Sequence, residues 1–392
     1  MQGLLDGVRV IDLGQRHAGP YCAKLLADAG ADVIHVERPS GDPARQEGPF
    51  APEDTKREFS ASFAFLNAGK RSVTLDYSVP AGAELLWDLV AQADILVENS
   101  RPGTLERYGF SMEELLKRNP RLVRISISNY GQTGPYRDVP ATEMTLQATS
   151  GLMDGNGELG REPLRYPMNM AQHWAGANGA FAGMVAYWHA LETGEGQQVD
   201  VSIQESLANT WYMVYADYQY VGALQARGQK DLLPAADGMV MLRWQTSVPW
   251  EQFAIAMDAF ELVTDPELQP PAILTVSAER YFTTLAQHTA QRTRSELMRI
   301  ALENEIPAGL LQSLDDVAAC PQHAARGFWD SVRTPWGATA RFPGRFYLRD
   351  GAAQETIERS VPRPGEHNEE VYCGLLGRST ADLTRYREEG AI

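Results

Sequence analysis

Arg38, Lys70 and Arg107 are the residues whose type and placement first suggest chemistry. Arg38 directly follows an apolar, β-branched run at 32–37. Lys70, with Arg71 beside it, precedes a second run at 72–75, and Arg107 lies one loop beyond a third at 95–98. An arginine offers a planar fork of donors that matches phosphate or carboxylate. Open α/β sheets bind ligands where strands end. Cations so placed would hold an anionic small molecule, although solvated surface charge is the commoner fate of scattered Arg and Lys. His17 lies in the turn 14–20, between the first strand and the first helix. A lone histidine is more often a structural hydrogen-bonding group than an acid or base. That turn, Gly14-Gln-Arg-His-Ala-Gly-Pro20, is not the Gly-x-Gly-x-x-Gly fingerprint, so a dinucleotide is poorly supported. The chain has neither a phosphate-binding P-loop motif nor the Gly-x-Ser-x-Gly elbow of α/β-hydrolases.

Those residues need a scaffold, and the hydrophobic pattern supplies one. Strands are expected at 8–13, 32–37, 72–75, 95–98 and 122–128, with helices at 21–29, 81–93 and 112–117. Alternating strands and helices imply βαβ units, a parallel sheet and a doubly wound α/β domain. From 174 to 191 the chain is small and apolar, which predicts a buried helix packed close to the sheet. A strand at 200–203 and a long aromatic helix at 204–220 follow. The pattern breaks over 222–237, and a strand at 237–244 opens a second α/β unit with helices near 250–260 and 295–304. Terminal helices are expected at 369–376 and 382–389.

A chain of 392 residues suits two domains. Hydrophobic residues make up 44% and charged residues 22%, which excludes disorder and fibrous repeats. The net charge of −16 opposes binding to nucleic acid or anionic membranes. The charge is uneven. Residues 1–140 hold 16 Lys and Arg against 19 Asp and Glu, whereas 141–392 hold 19 against 32. An anionic ligand would find its partners in the first third. No apolar stretch is long enough to span a bilayer, and no signal peptide is visible. Three scattered cysteines (Cys22, Cys320, Cys373) suggest a reducing, cytoplasmic setting and argue against a cysteine-based zinc site.

Several segments, in order and spacing, resemble the family III CoA-transferases, the superfamily that includes carnitine CoA-transferase, formyl-CoA transferase and α-methylacyl-CoA racemase. They are Leu5-Asp-Gly-Val-Arg-Val-Ile-Asp-Leu13, Ala18-Gly-Pro20, Leu26-Ala-Asp-Ala-Gly-Ala-Asp-Val-Ile34, Val36-Glu-Arg-Pro39, Lys70-Arg-Ser72, Val97-Glu-Asn99 and Arg101-Pro-Gly103. Glu106-Arg-Tyr-Gly109, Gly131-Gln-Thr-Gly-Pro-Tyr136, Ser150-Gly151, Thr193-Gly-Glu-Gly-Gln-Gln-Val-Asp200 and Pro364-Gly-Glu-His367 continue the series. The resemblance implies a Rossmann-like large domain at 1–222, an inserted smaller α/β domain at 223–325, and a C-terminal return to the large domain at 326–392. It also implies an interlocked dimer, or a heteromer with a related chain. Coenzyme A or acyl-CoA would be substrate, with a carboxylic acid as second reactant and no tightly bound cofactor.

On this resemblance Arg38, Lys70 and Arg107 match positions at the adenosine phosphate end of coenzyme A, with Leu66 and Asn99 near the nucleotide. The turn 15–17 would sit beside the thioester, where its backbone can assist, and His17 takes a place often held by Gln. The family's catalytic aspartate lies four residues before the glycine that opens the Gly/Ala-rich helix. That glycine is Gly176, anchored downstream by Thr193-Gly194, and the count lands on Gln172. No Asp or Glu lies between Arg165 and Gly176. In transferases the aspartate attacks the thioester to form a mixed anhydride; a neutral amide is a poor nucleophile. The histidine of the racemase branch matches Thr142, so that acid–base pair is missing too. Transferase is the activity most of the family carries, and three accounts of Gln172 stay open. The chain performs other acyl-CoA chemistry (racemase, isomerase or lyase type) with Glu143 or His173 as acid–base groups. It is a non-catalytic subunit paired with an Asp-bearing relative. Or another carboxylate, Asp154 or Glu143, is the nucleophile. A structural carboxylate capping a loop is an equally good reading of Glu143.

Overall fold

A computed structural model describes residues 3–392 apart from 159, 223–231, 271–272, 274–277 and 352–357. The expected boundary at 222/223 opens on a stretch outside the described residues. The chain forms two compact units, one of Met1–Gly157, Glu162–Gln225 and Ala324–Ile392, the other of Glu158–Arg161 and Ala226–His323.

The first unit begins with β1 (Arg9–Asp12), α1 (Ala18–Asp28), β2 (Asp32–Glu37), α2 (Ala61–Asn67), β3 (Arg71–Thr74), α3 (Pro80–Ala91) and β4 (Ile95–Glu98). It continues through α4 (Thr104–Arg107), α5 (Met112–Arg118), β5 (Val123–Ser128), α6 (Glu143–Thr149), α7 (Met170–Thr193), β6 (Gln198–Ser202), α8 (Ile203–Ala208) and α9 (Tyr212–Val221). Its six strands are all parallel, in the order β3-β2-β1-β4-β5-β6. This is the doubly wound order, with its switch point between β1 and β4. Side-chain alternation builds a core on each face. Val10, Val33, Ile95, Val97 and Ile125 pack with α1 and α7, while Ile11, Ile34, Leu96 and Val73 pack with α3 and the chain's end. Burial on both faces explains why β4 and β5 expose no residue.

The small residues of α7 permit close approach. A Cβ on Gly176 would lie 2.7 Å from the Ala18 carbonyl oxygen, and one on Gly183 would lie 2.2 Å from Ile125 Cδ1. The expected burial of this helix therefore holds for one face. Its opposite face is exposed, with Phe181, Val185 and Trp188 in solvent. The single aromatic helix expected at 204–220 is divided by a 3-10 turn at Asn209–Trp211, where the Trp211 indole donates to the Gly151 carbonyl.

The second unit holds an antiparallel sheet of β7 (Leu232–Ala235), β8 (Gly238–Leu242) and β9 (Ala308–Leu310). Helices α10 (Trp250–Met257), α11 (Glu261–Thr264), α12 (Ala278–Thr289) and α13 (Arg294–Glu303) accompany it. Phe253, Leu285, Leu297, Val240 and Leu242 make its core. The chain then returns to the first unit through β10 (Trp329–Arg333), β11 (Thr339–Pro343) and β12 (Glu358–Arg359). The antiparallel hairpin β10–β11 has no counterpart among the strands expected from the sequence. Arg359 pairs with Asp28 (2.6 Å) and Asp330 (3.1 Å), and Asp28 pairs with Lys24 (2.7 Å), fixing the return to α1. Val371, Tyr372, Leu383 and Tyr386 then complete the core over α3.

Candidate functional site

The C-terminal ends of β1, β4 and β5 converge with the N-terminal ends of α6 and α7. At this switch point lies a cavity of about 860 Å3. Its wall includes Gln15, Arg16 and His17 from the turn after β1, Asn99, Arg101 and Arg107 from the segment after β4, and Arg137 from the loop after β5. Glu143, Asn169 and Gln172 enter from the two helix ends, and Glu47 from the loop after β2.

The turn after β1 is held by side chains. The Gly14 N–H donates to Asp12 Oδ1 (2.9 Å), the Gln15 N–H to Asn99 Oδ1 (2.8 Å), and the Arg16 N–H to Asp42 (3.2 and 3.3 Å). Asn99 Nδ2 in turn donates to the Gln15 carbonyl at 2.9 Å. The Gly14, Gln15 and Arg16 amides are thus engaged by side chains, and Gln15, Arg16 and His17 line the cavity. Glu47 binds the Arg16 guanidinium and lies 3.1 Å from His17 Nε2. Arg124, almost wholly buried, donates to Glu98 (3.1 Å) and Glu106 (2.8 Å) and so brackets the segment that carries Asn99, Arg101 and Arg107.

Gln172 is on the wall, in the first turn of α7. Its amide makes no hydrogen bond among the described residues. Glu143, the first residue of α6, accepts the Ala171 N–H (2.7 Å) and Gln147 Nε2 (2.8 Å) with Oε1; its Oε2 is buried without a hydrogen bond. Glu143 therefore caps α7. Thr142 forms a capping box with Thr145 and also lines the cavity.

Four expected site residues lie elsewhere, and Asp154 is not on the wall either. Arg38 is exposed past the end of β2. Leu66 is a core side chain, 1% exposed. Lys70 is buried, and all three of its protons are taken, by Asp12 Oδ2 (2.9 Å), the Pro20 carbonyl (2.9 Å) and Asn67 Oδ1 (2.8 Å), leaving none for a phosphate. His173 points away into an aromatic cluster with Tyr21 (4.6 Å between ring centres) and Phe65 (6.2 Å). Burial first, and the neighbouring His17 second, push its imidazole down to about 4, so it is neutral at pH 7. Of the nominated residues, the structure brings His17, Asn99, Arg107, Glu143 and Gln172 together. It adds Arg101, Arg137, Glu47 and Asn169, which the sequence reading missed. Arg101 stood within the segment Arg101-Pro-Gly103 that carries the resemblance, whereas Arg137 lies one residue beyond the segment that ends at Tyr136.

Four guanidinium groups against three carboxylates, one of them spent on α7 and one on Arg16 and His17, give the cavity an excess of positive donors. Such a wall suits a ligand with several phosphate charges. Among the described residues no group of three metal-ligating side chains occurs, and no helix is long and apolar enough to cross a membrane.

The sequence model of CoA-transferase family III matches residues 5–368. The succinyl-CoA:(R)-benzylsuccinate CoA-transferase subunit BbsE of Thauera aromatica is 34% identical, over 96% of this chain and 96% of its own. Succinyl-CoA–D-citramalate CoA-transferase of Chloroflexus aurantiacus is 31% identical, over 99% and 98%. Among solved structures, a CaiB/BaiF family protein from Brucella suis superposes with a TM-score of 0.82 at 29% identity, covering 96% of this chain and 100% of that one.

Proposed function

The chain belongs to CoA-transferase family III, and on that premise we propose that its cavity binds an acyl-CoA and serves transfer of CoA between carboxylic acids as one member of a pair of related chains. The observation that carries this reading is Gln172. In transfer by a mixed anhydride, a carboxylate oxygen attacks the thioester carbonyl, the C–S bond breaks, and CoA leaves as thiolate. The Gln172 amide can donate to or accept from an acyl group, but it supplies no such oxygen. Glu47 is bound by Arg16 and His17, and Glu143 caps α7. The nucleophile is accordingly assigned to a partner chain with Asp at the matching position. The similarity to a protein named as a transferase subunit supports this. The three free cysteines fit a reducing, cytoplasmic setting.

The test uses the purified chain, a donor acyl-CoA and an acceptor acid. Calorimetry should show CoA binding, and hydroxylamine should trap no acyl group on the chain. Gln172→Asp should gain exchange activity; a tenfold gain needs a barrier only about 1.4 kcal/mol lower. Transfer by the wild-type chain alone, unimpaired in Gln172→Ala, would sink the reading. A second reading draws on Glu143 Oε2, buried on the cavity wall without a hydrogen bond. If wild type exchanges the α-proton of an acyl-CoA with deuterium and Glu143→Gln does not, acid–base chemistry takes precedence.

A further inference from the structure

Behind the turn 14–17 lies a charged cluster that no cavity-lining role explains. Asp12, His35, Asp42 and Lys70 are all buried. His35, on β2, places Nδ1 3.0 Å from Asp12 Oδ2. Its Nε2 lies 3.3 Å from Asp42 Oδ2, an ion-pair distance without the alignment of a hydrogen bond. The same two carboxylates receive the turn's amides, Asp12 from Gly14 and Asp42 from Arg16. One imidazole thus bridges the acceptors at both ends of the turn. Arg16 is held at φ 64°, a conformation non-glycine residues adopt at a cost. Asp42 is what fixes it, and Arg16 then reaches Glu47 and, through it, His17.

The charges support a bridging cation. Burial opposes protonation of His35, yet Asp12, Asp42 and Glu37 raise it to about 9. Glu37 itself is neutralised by Arg45 (2.6 Å), so Lys70 and a protonated His35 balance Asp12 and Asp42. A neutral residue at position 35 leaves Asp12 with Lys70 and takes from Asp42 its cationic neighbour. An unbalanced buried carboxylate must shift or take up a proton, and a shift of Asp42, which also accepts the Ala44 N–H (2.7 Å), carries the Arg16 amide with it.

We propose that His35 is a positioning residue: by bridging Asp12 and Asp42 it sets the turn 14–17 and, through Arg16 and Glu47, the place of His17 on the cavity wall. Only the binding part of the test rests on the reading of the cavity as an acyl-CoA site. His35→Gln is compared with wild type by the NMR ring resonances of His17 at fixed pH, CoA calorimetry and thermal melting. The expected result is a cooperative melt at lower temperature, displaced His17 ring resonances, and CoA binding weakened by about fivefold or more, the scale of one lost hydrogen bond. A lower melting temperature with unmoved His17 resonances and unchanged affinity makes His35 a core residue only and overturns the proposal. Should His35→Gln not fold, Asp42→Asn weakens the second arm while sparing the Asp12–Lys70 pair, and the same two readouts decide. If wild type binds no CoA, the cavity reading fails, while the His17 ring resonances still judge the positioning role.

Discussion

Gln172 and His173 are neighbours in sequence with opposite fates. Successive residues on a helix point about 100° apart, so one meets the cavity and the other the ring of Tyr21. The divergence follows from α7 starting at Met170, four residues before the start read from composition. For the cations the deciding quantity is free donors. Arg101→Ala, Arg107→Ala and Arg137→Ala should each weaken CoA binding by about 1.5–3 kcal/mol in calorimetry, as for a charge-assisted hydrogen bond. Arg38→Ala, off the wall, should change it by less than about 0.5 kcal/mol. Position and charge of Lys70 were legible in sequence; its acceptors Asp12 and the Pro20 carbonyl were not, because they lie 58 and 50 residues away along the chain. His35 gives a pH prediction. An unfolded imidazole titrates near 6.5 and the folded one near 9. Its contribution is therefore complete below about pH 6.5 and is lost as pH rises through about 9. Wild-type melting temperature should fall over that window, and His35→Gln should flatten the slope.

Elements were more legible than side-chain partners. The strands read at 32–37 and 95–98 occur with those bounds, because a short β-branched run buried on both faces of a parallel sheet has few alternatives. The hairpin β10–β11 escaped, since β10 buries a charged residue, Asp330, beside Val332, β11 alternates exposed Thr339, Arg341 and Pro343 with half-buried Ala340 and Phe342, and Pro335 and Gly337 lie between them. The glycines and alanines of α7 led to the expectation of close packing on the sheet; the structure adds a tight seam with α1, and that seam positions Gln172. Gly176 faces the backbone of Ala18 and Cys22, at 2.7 and 3.2 Å from the position a Cβ would take. Gly176→Ala must push the first turn of α7 off α1, so it should cost about 1–3 kcal/mol in denaturant unfolding. It should also weaken CoA binding, because that turn carries Gln172 and accepts the Glu143 cap.

At the scale of the molecule, apolar surface is left uncovered. Phe181 (74% exposed), Val185 and Trp188 on α7, and Tyr212, Tyr218 and Tyr220 (89%) on α9, form faces larger than isolated apolar residues explain. With the pairing proposed for this chain, they are the surfaces a second chain would cover. Sedimentation at nanomolar concentration should show a dimer or a heteromer, and a monodisperse monomer would contradict it. The other large-scale feature is the order in which the first unit is made. Its sheet is complete in sequence at Ser202, yet the face over α3 is closed by Val371, Tyr372, Leu383 and Tyr386. On a ribosome adding about 5–20 residues per second, those side chains arrive roughly 10–30 s after the last strand. Until then the nascent sheet shows bare apolar surface, while the intervening segment has time to form its own core. Bare apolar surface of that kind is what chaperones bind during synthesis, and a premature stop codon before position 371 would leave an unfinished product for proteolysis.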